Sequence, residues 1–192
     1  MDNLCSSIKF LLFSGLSLIL LSSCFSKKTS EQIPIYGKVK PFDLINQEGV
    51  TVNLEIFKNK LSVVNFIFTN CSGQCPMMTQ KVKKIQNQFI KNNNIQFVSI
   101  SIDPANDTPN ALKKYSKRFK INLSQWSFLT GKIDEIQKLA EKSFLVSSGK
   151  EDLNLHSTRL IVVDKQLQVR GLYESKNSDY LKKITSDIKQ LL

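Results

Sequence analysis

The chain holds 192 residues, 41% hydrophobic and 22% charged, with 27 Lys and Arg against 16 Asp and Glu, a net charge of +11. That length suits one domain with a real core, and 7 Gly with 5 Pro exclude collagen-like and low-complexity classes. One His and four Cys exclude a His-rich metal cluster and any charge relay needing two histidines. Only Arg118, Arg159 and Arg170 are Arg, and the Lys run over the whole length. The charge therefore reads as a Lys-rich solvated surface, drawn to an anionic membrane or an acidic partner, and no nucleic-acid footprint is expected.

Residues 10–21 form an apolar run of 12 preceded by Lys9. This has the length of a secretory signal core and falls short of the ~20 residues a spanning helix needs. The run ends in Leu21-Ser22-Ser23-Cys24, which resembles the lipobox of bacterial lipoproteins. The resemblance implies a diacylglycerol on the Cys24 sulfur and cleavage before it. Residues 1–23 are then a signal peptide, 24–35 a lipidated tether and 36–192 the folded domain. The domain would stand on the extracytoplasmic face of a bacterial membrane, the periplasmic side in a Gram-negative cell. The alternative is an uncleaved membrane anchor with Cys24 incidental. On the lipoprotein reading Cys5 is lost, and Cys71 and Cys75 are the free thiols of the mature protein.

Along the folded part, Phe42, Leu44, Val50, Val52 and Leu54 alternate around a turn at Asn46-Gln47-Glu48-Gly49, the pattern of a hairpin. The near-continuous apolar run 61–68 predicts a strand buried on both faces. Pro76 suits the opening of a helix striped by Met78, Val82, Ile85 and Phe89. Residues 95–102 give the next strand, and Thr108-Pro109 caps and opens a second helix with Leu112, Tyr115 and Phe119 on one face. A third helix follows Gly131. Residues 158–164 and 168–173 form a hairpin, and Leu181, Ile184, Ile188 and Leu191 stripe a last helix. The alternation predicts an α/β thioredoxin-like fold with an N-terminal β-hairpin extension.

Cys71-Ser-Gly-Gln-Cys75-Pro76 falls between a buried strand and a helix N-terminus, where unpaired amides favour the thiolate. A disulfide across so short a loop adds little stability, so function outweighs structure for this pair. Thioredoxin-like reductases use two intervening residues and a Pro before the last hairpin. Here three residues intervene, and every Pro lies at or before 109. The only histidine, His156, stands just before the hairpin strand, where it should overlie the Cys turn. Two thiolates and an imidazole make a soft three-ligand site suited to Cu(I), able to take Cu(II) with one more donor, and also compatible with zinc. Met77 is a weak auxiliary donor, whereas Met78 falls on the apolar stripe.

These motifs resemble the Sco/SenC copper-delivery family. Besides Cys71-x-x-x-Cys75-Pro76, the chain has Asp103-Pro-Ala-Asn-Asp107-Thr108, similar to that family's Asp-Pro-x-Arg-Asp-Thr with Asn106 in place of Arg. It also has Trp126-Ser-Phe-Leu-Thr-Gly131, and His156-Ser157 before a strand ending in Asp164. The resemblance covers about residues 36–192 and implies Cys71, Cys75 and His156 as copper ligands. It implies a metallochaperone delivering copper to the dinuclear centre of cytochrome c oxidase, its partner being the copper-bearing subunit or another copper chaperone. Asp103 and Asp107 read first as turn and helix-cap residues, with a metal, substrate or partner role as the alternative. The competing function is a thiol–disulfide oxidoreductase that reduces partner cysteines before metallation, with Cys71 and Cys75 as its redox pair. A peroxiredoxin-type peroxidase is weaker, because the Pro-x-x-x-Thr-x-x-Cys pattern is missing around Cys71.

Overall fold

Thirteen segments of regular structure follow one another in residues 32–146, 159–175 and 177–192, which the computed structural model describes. The first part holds β1 (Gly37–Lys38), β2 (Asp43–Asn46), β3 (Thr51–Asn53) and a 3-10 turn at Leu54–Phe57. Next come β4 (Leu61–Ile67), α1 (Gln74–Gln88), β5 (Ile95–Ser101), α2 (Pro109–Arg118) and β6 (Trp126–Thr130). The chain closes with α3 (Ile133–Phe144), β7 (Arg159–Val163), β8 (Gln168–Glu174) and α4 (Tyr180–Leu191). The strands make one sheet in the order β1-β8-β7-β4-β5-β6-β2-β3.

The apolar runs explain the centre of that sheet. Every residue of β4 and β5 is buried, and the two strands pair in parallel from Leu61↔Ile95 to Ile67↔Ser101. Alternate side chains then serve two cores. Val64 and Phe66 join a cluster with α3, Phe42 and Phe57, while Leu61, Val63 and Ile67 join another with α1, α2 and α4. Helices thus cover both faces, as a parallel sheet requires. Each fully buried side chain such as Phe144 or Phe97 contributes ~1.5–3 kcal/mol of transfer free energy.

This is the expected thioredoxin-like arrangement, with the β2–β3 hairpin laid on the β6 edge through Ile45↔Thr130. Two details differ from the sequence reading. Helix α1 begins at Gln74, two residues before Pro76, because Gly73 takes the N-cap position. Pro is tolerated there, since the first-turn amides have no partner in the helix. Strands β1 and β6 carry too few alternating residues to stand out in the sequence. Thr108 caps α2 as anticipated, its Oγ1 accepting from the Ala111 N–H at 3.3 Å.

Strand direction sets where chemistry sits. Parallel β4 and β5 end side by side, so the loops after Ile67 and Ser101 meet at one edge of the sheet, the usual place for a site in such folds. Strand β7 is antiparallel to β4 with Val64↔Ile161, so its first residue, Arg159, starts from that same edge.

Candidate metal and redox site

The chain turns as soon as β4 ends. The Cys71 N–H donates to the Phe68 carbonyl at 3.3 Å, and α1 begins three residues later. Gly73 offers no side chain to cap the helix, which leaves the first-turn amides to the sulfur atoms. The Cys75 N–H donates to Cys71 Sγ at 3.4 Å. Both cysteines are free thiols, Cys71 half-buried and Cys75 only 7% exposed.

Their surroundings push the two thiols apart. Burial raises Cys71, but the backbone amides of Cys75, Gly73 and Gln74, together with the Cys75 thiol, outweigh it and leave Cys71 below an ordinary cysteine. At Cys75 burial dominates, and the Cys71 and Asp107 charges add to it, so this thiol is pushed up to about 12 despite the Phe68 backbone contact. One sulfur is therefore a partly exposed thiolate source and the other a protected thiol.

Asp107 lies behind this pair. Its carboxylate is fully buried and accepts from the Thr69 N–H at 3.1 Å, from the Thr69 hydroxyl, and from Ser101 Oγ at 2.6 Å. The acid expected as a turn or cap residue is instead a long-range tie, because Thr108 does the capping. It fastens the residue two before Cys71 to the β5–α2 turn. Asp103 keeps the turn role: its carbonyl accepts from the Asn106 and Asp107 amides, and its carboxylate accepts both contacts of the Asn106 side-chain amide at 3.1 and 2.9 Å. Asn106 thus supplies a donor of its own inside this loop.

Of the residues the sequence singled out, the structure brings together Cys71, Cys75 and Asp107, with Asp103 in the adjoining turn. Cys24 and His156 lie outside the described residues. Met77 is 56% exposed and Met78 is packed in the core. Among the described residues no group of three or more His, Cys, Asp or Glu is placed to hold a metal ion, and no helix is long and apolar enough to cross a membrane. Sequence reasoning missed Thr69 and Ser101, and read Tyr115 only as part of the apolar face of α2. Tyr115 donates to or accepts from Thr79 Oγ1 at 2.8 Å, and burial, with the Cys75 and Cys71 charges adding, pushes its hydroxyl up to about 12. Only a fold that sets the ends of β4 and β5 side by side shows that Thr69 and Asp107 meet.

The comparisons agree with this geometry. The family model described as SCO1/SenC matches residues 31–192. The "SCO1 protein homolog" of Bacillus subtilis is 33% identical over 183 residues, 93% of this chain and 94% of that protein. Among solved structures, BsSco, described as a member of the Sco family of cytochrome c oxidase assembly proteins with a disulfide switch, is 31% identical. It superposes with a TM-score of 0.71 over 83% of this chain and 96% of its own. A SCO1/SenC family lipoprotein of Bacillus anthracis gives 30% identity and a TM-score of 0.72 over 81% and 95%. ScoI of Bradyrhizobium japonicum, solved with copper bound, shares the fold at 22% identity and a TM-score of 0.65 over 81% and 99%. With the matching family model spanning every described residue, this chain belongs to the SCO1/SenC family.

Proposed function

We propose that the protein is a membrane-tethered copper chaperone that hands copper to the dinuclear centre of a cytochrome c oxidase during assembly. Copper is its cargo. The carrying observation is the pair of free thiols, Cys71 and Cys75, gathered at the open N-terminus of α1 with a hydrogen bond between the Cys75 amide and Cys71 sulfur. Two sulfur donors fit a soft monovalent metal better than a hard cation. His156 supplies the third ligand on this reading, and the start of β7 at the same edge of the sheet supports it. Transfer is ligand exchange: a partner's thiolate replaces Cys71, the more exposed donor, before Cys75 lets go. Oxidation of the two thiols to a disulfide, giving two electrons and two protons to an acceptor, ends binding.

The tether is part of the proposal. Cys24, lipidated and N-terminal after cleavage, holds the domain to the extracytoplasmic face, and the lipoprotein description of the Bacillus anthracis relative supports this. Multiple acyl chains make such an anchor durable, each buried CH₂ contributing ~0.8 kcal/mol.

The asymmetry of the two thiols favours one second reading, a thiol–disulfide reductase. Cys71 thiolate would attack a partner disulfide and form a mixed disulfide, and Cys75 would then resolve it, releasing the partner's dithiol. The deciding test is anaerobic Cu(I) titration of the reduced full-length protein carrying Cys5→Ser and Cys24→Ser. One tightly held equivalent that is lost in Cys71→Ser and in Cys75→Ser supports the chaperone; unchanged binding in either variant refutes it.

A further inference from the structure

The lysines that look scattered along the sequence are sorted by the fold. From Gln74 to Lys120 the chain carries Lys81, Lys83, Lys84, Lys91, Lys113, Lys114, Lys117, Arg118 and Lys120 against two carboxylates, Asp103 and Asp107. Neither acid is on a helix, and Asp107 is buried. Helices α1 and α2 therefore carry no acidic residue at all. They lie side by side, joined by Thr79 to Tyr115, by Lys83 Nζ to the Phe119 carbonyl at 2.8 Å and by the Gln86 amide to the Asn122 carbonyl. Lys84, Lys91, Lys114, Lys117, Arg118 and Lys120 are exposed on their outer side. Helix α3, in the opposite core cluster, mixes Lys138 and Lys142 with Asp134, Glu135 and Glu141. Glu48 of the β2–β3 turn pairs with Lys113, and α4, in the same cluster as α1 and α2, sets Lys182, Lys183 and Lys189 against Asp179 and Asp187. The positive excess therefore stays on this face and is concentrated on α1 and α2.

We infer that the α1–α2 face rests on an anionic lipid surface, with phospholipid headgroups as its ligand. This builds on the membrane-tether reading above. Residues 22–31 separate the apolar run from Gln32 and span at most ~35 Å even when fully extended, so a tethered domain never leaves the headgroup layer by more than about its own width. The tether thus keeps every face in frequent contact with the bilayer. At contact, within a Debye length of ~8–10 Å, a cluster of lysines gains from the surface potential of anionic lipids, whereas the mixed charges of α3 do not. The acyl chains supply the attachment, and the basic face adds the electrostatic term that sets how the domain lies on the surface. In this orientation the helix layer lies flat and the Cys71 loop, at the leading end of α1, opens sideways along the bilayer. An acceptor embedded in the same membrane could then reach Cys71 from the side.

The test uses residues 32–192, which hold both hydrophobic clusters and every described strand and helix, so they fold as a unit without the anchor. Sedimentation with vesicles of pure phosphatidylcholine, or with phosphatidylglycerol added, measures partitioning at low and at physiological salt. The triple variant Lys84→Glu, Lys91→Glu, Lys117→Glu is compared with Lys132→Glu at the N-cap of α3 and Lys138→Glu, Lys142→Glu within it, an equal change in net charge. The expected result is binding only to the phosphatidylglycerol vesicles, weakened about tenfold or more by the α1–α2 variant and much less by the α3 variant. Equal losses in the two variants would reduce the effect to net charge and overturn the proposal. Binding to soluble polyglutamate with both vesicles left bare would overturn it in favour of an acidic protein partner. Cu(I) titration of the same samples keeps the outcomes separate, since a failed vesicle test with intact copper binding leaves the chaperone reading standing.

Discussion

Thr69 and Asp107, 38 residues apart in sequence, are joined by three contacts: the Thr69 amide reaches both carboxylate oxygens at 3.1 Å, and its hydroxyl reaches one of them. The tie holds the strand end that delivers Cys71 against the turn that ends β5. Thr69→Val removes the hydroxyl and keeps the amide, and it is expected to cost about 1–2 kcal/mol of stability. More specifically, it should change the rate at which iodoacetamide modifies Cys71 in the folded protein. Ser101→Ala loses a comparable bond to the same carboxylate without touching the Cys loop, and should leave that rate alone. Equal effects of the two variants on the rate would show that Asp107 only stabilises the fold.

The two thiols should differ in reactivity at neutral pH. With Cys71 lowered and Cys75 pushed up to about 12, alkylation of the reduced protein should label Cys71 first and leave Cys75 unmodified until the protein unfolds. Peptide mapping after brief exposure checks this, and preferential labelling of Cys75 would contradict it.

The raised Cys75 thiol also fixes a pH dependence. In the unfolded chain an ordinary cysteine loses its proton near ~8.5, whereas the folded state keeps it up to about 12. Between those values the native state binds more protons than the unfolded one, so this contribution is complete below the unfolded value and is lost as pH rises through the window. The stability of the reduced protein relative to Cys75→Ser, from denaturant midpoints, should therefore shrink from pH 8 to pH 10. A constant difference would mean the thiol is not protected by burial.

Gly171 sits in β8 beneath the ring of Tyr173, and a Cβ there would run into the ring and its hydroxyl. That hydroxyl donates to Asp187 on α4 at 2.7 Å, so displacing the ring also costs α4 this tie to the sheet. Gly171→Ala should destabilise by ~1–3 kcal/mol, the cost of overpacking, and Gly171→Ala with Tyr173→Ala, which removes the ring, should cost less than the sum of the two single changes. Thermal melting of the four proteins measures the cycle, and strict additivity would remove the steric explanation.

These predictions divide by how much of their basis the sequence carried. The buried strand β4, the cap at Thr108 and the cysteine pair before a helix were legible because each is a local pattern with a local cause. The start of α1 was misplaced by two residues because Gly73 caps through its backbone and leaves no side-chain signal. Strand β6 was hidden in a short mixed segment, and its pairing with β5 and β2 makes it a strand. The Thr69–Asp107 tie and the sorting of lysines onto one face were invisible, since both depend on which chain ends the sheet sets next to one another. His156 was singled out by its solitude and position, and its role rests on the proposal.

His156→Ala gives the most direct measurement. In the reduced full-length protein carrying Cys5→Ser and Cys24→Ser, Cu(I) competition titration and disulfide exchange with a thiol probe are run on the same sample, after a melting curve on the metal-free protein. Copper held by two thiolates and an imidazole loses a third of its ligands, so affinity should fall at least about tenfold, while exchange through Cys71 and Cys75 continues at near the original rate. The metal-free melting temperature should stay unchanged. Full copper affinity in His156→Ala, with binding or exchange lost only in the cysteine variants, would contradict the three-ligand chaperone and leave the reductase in its place.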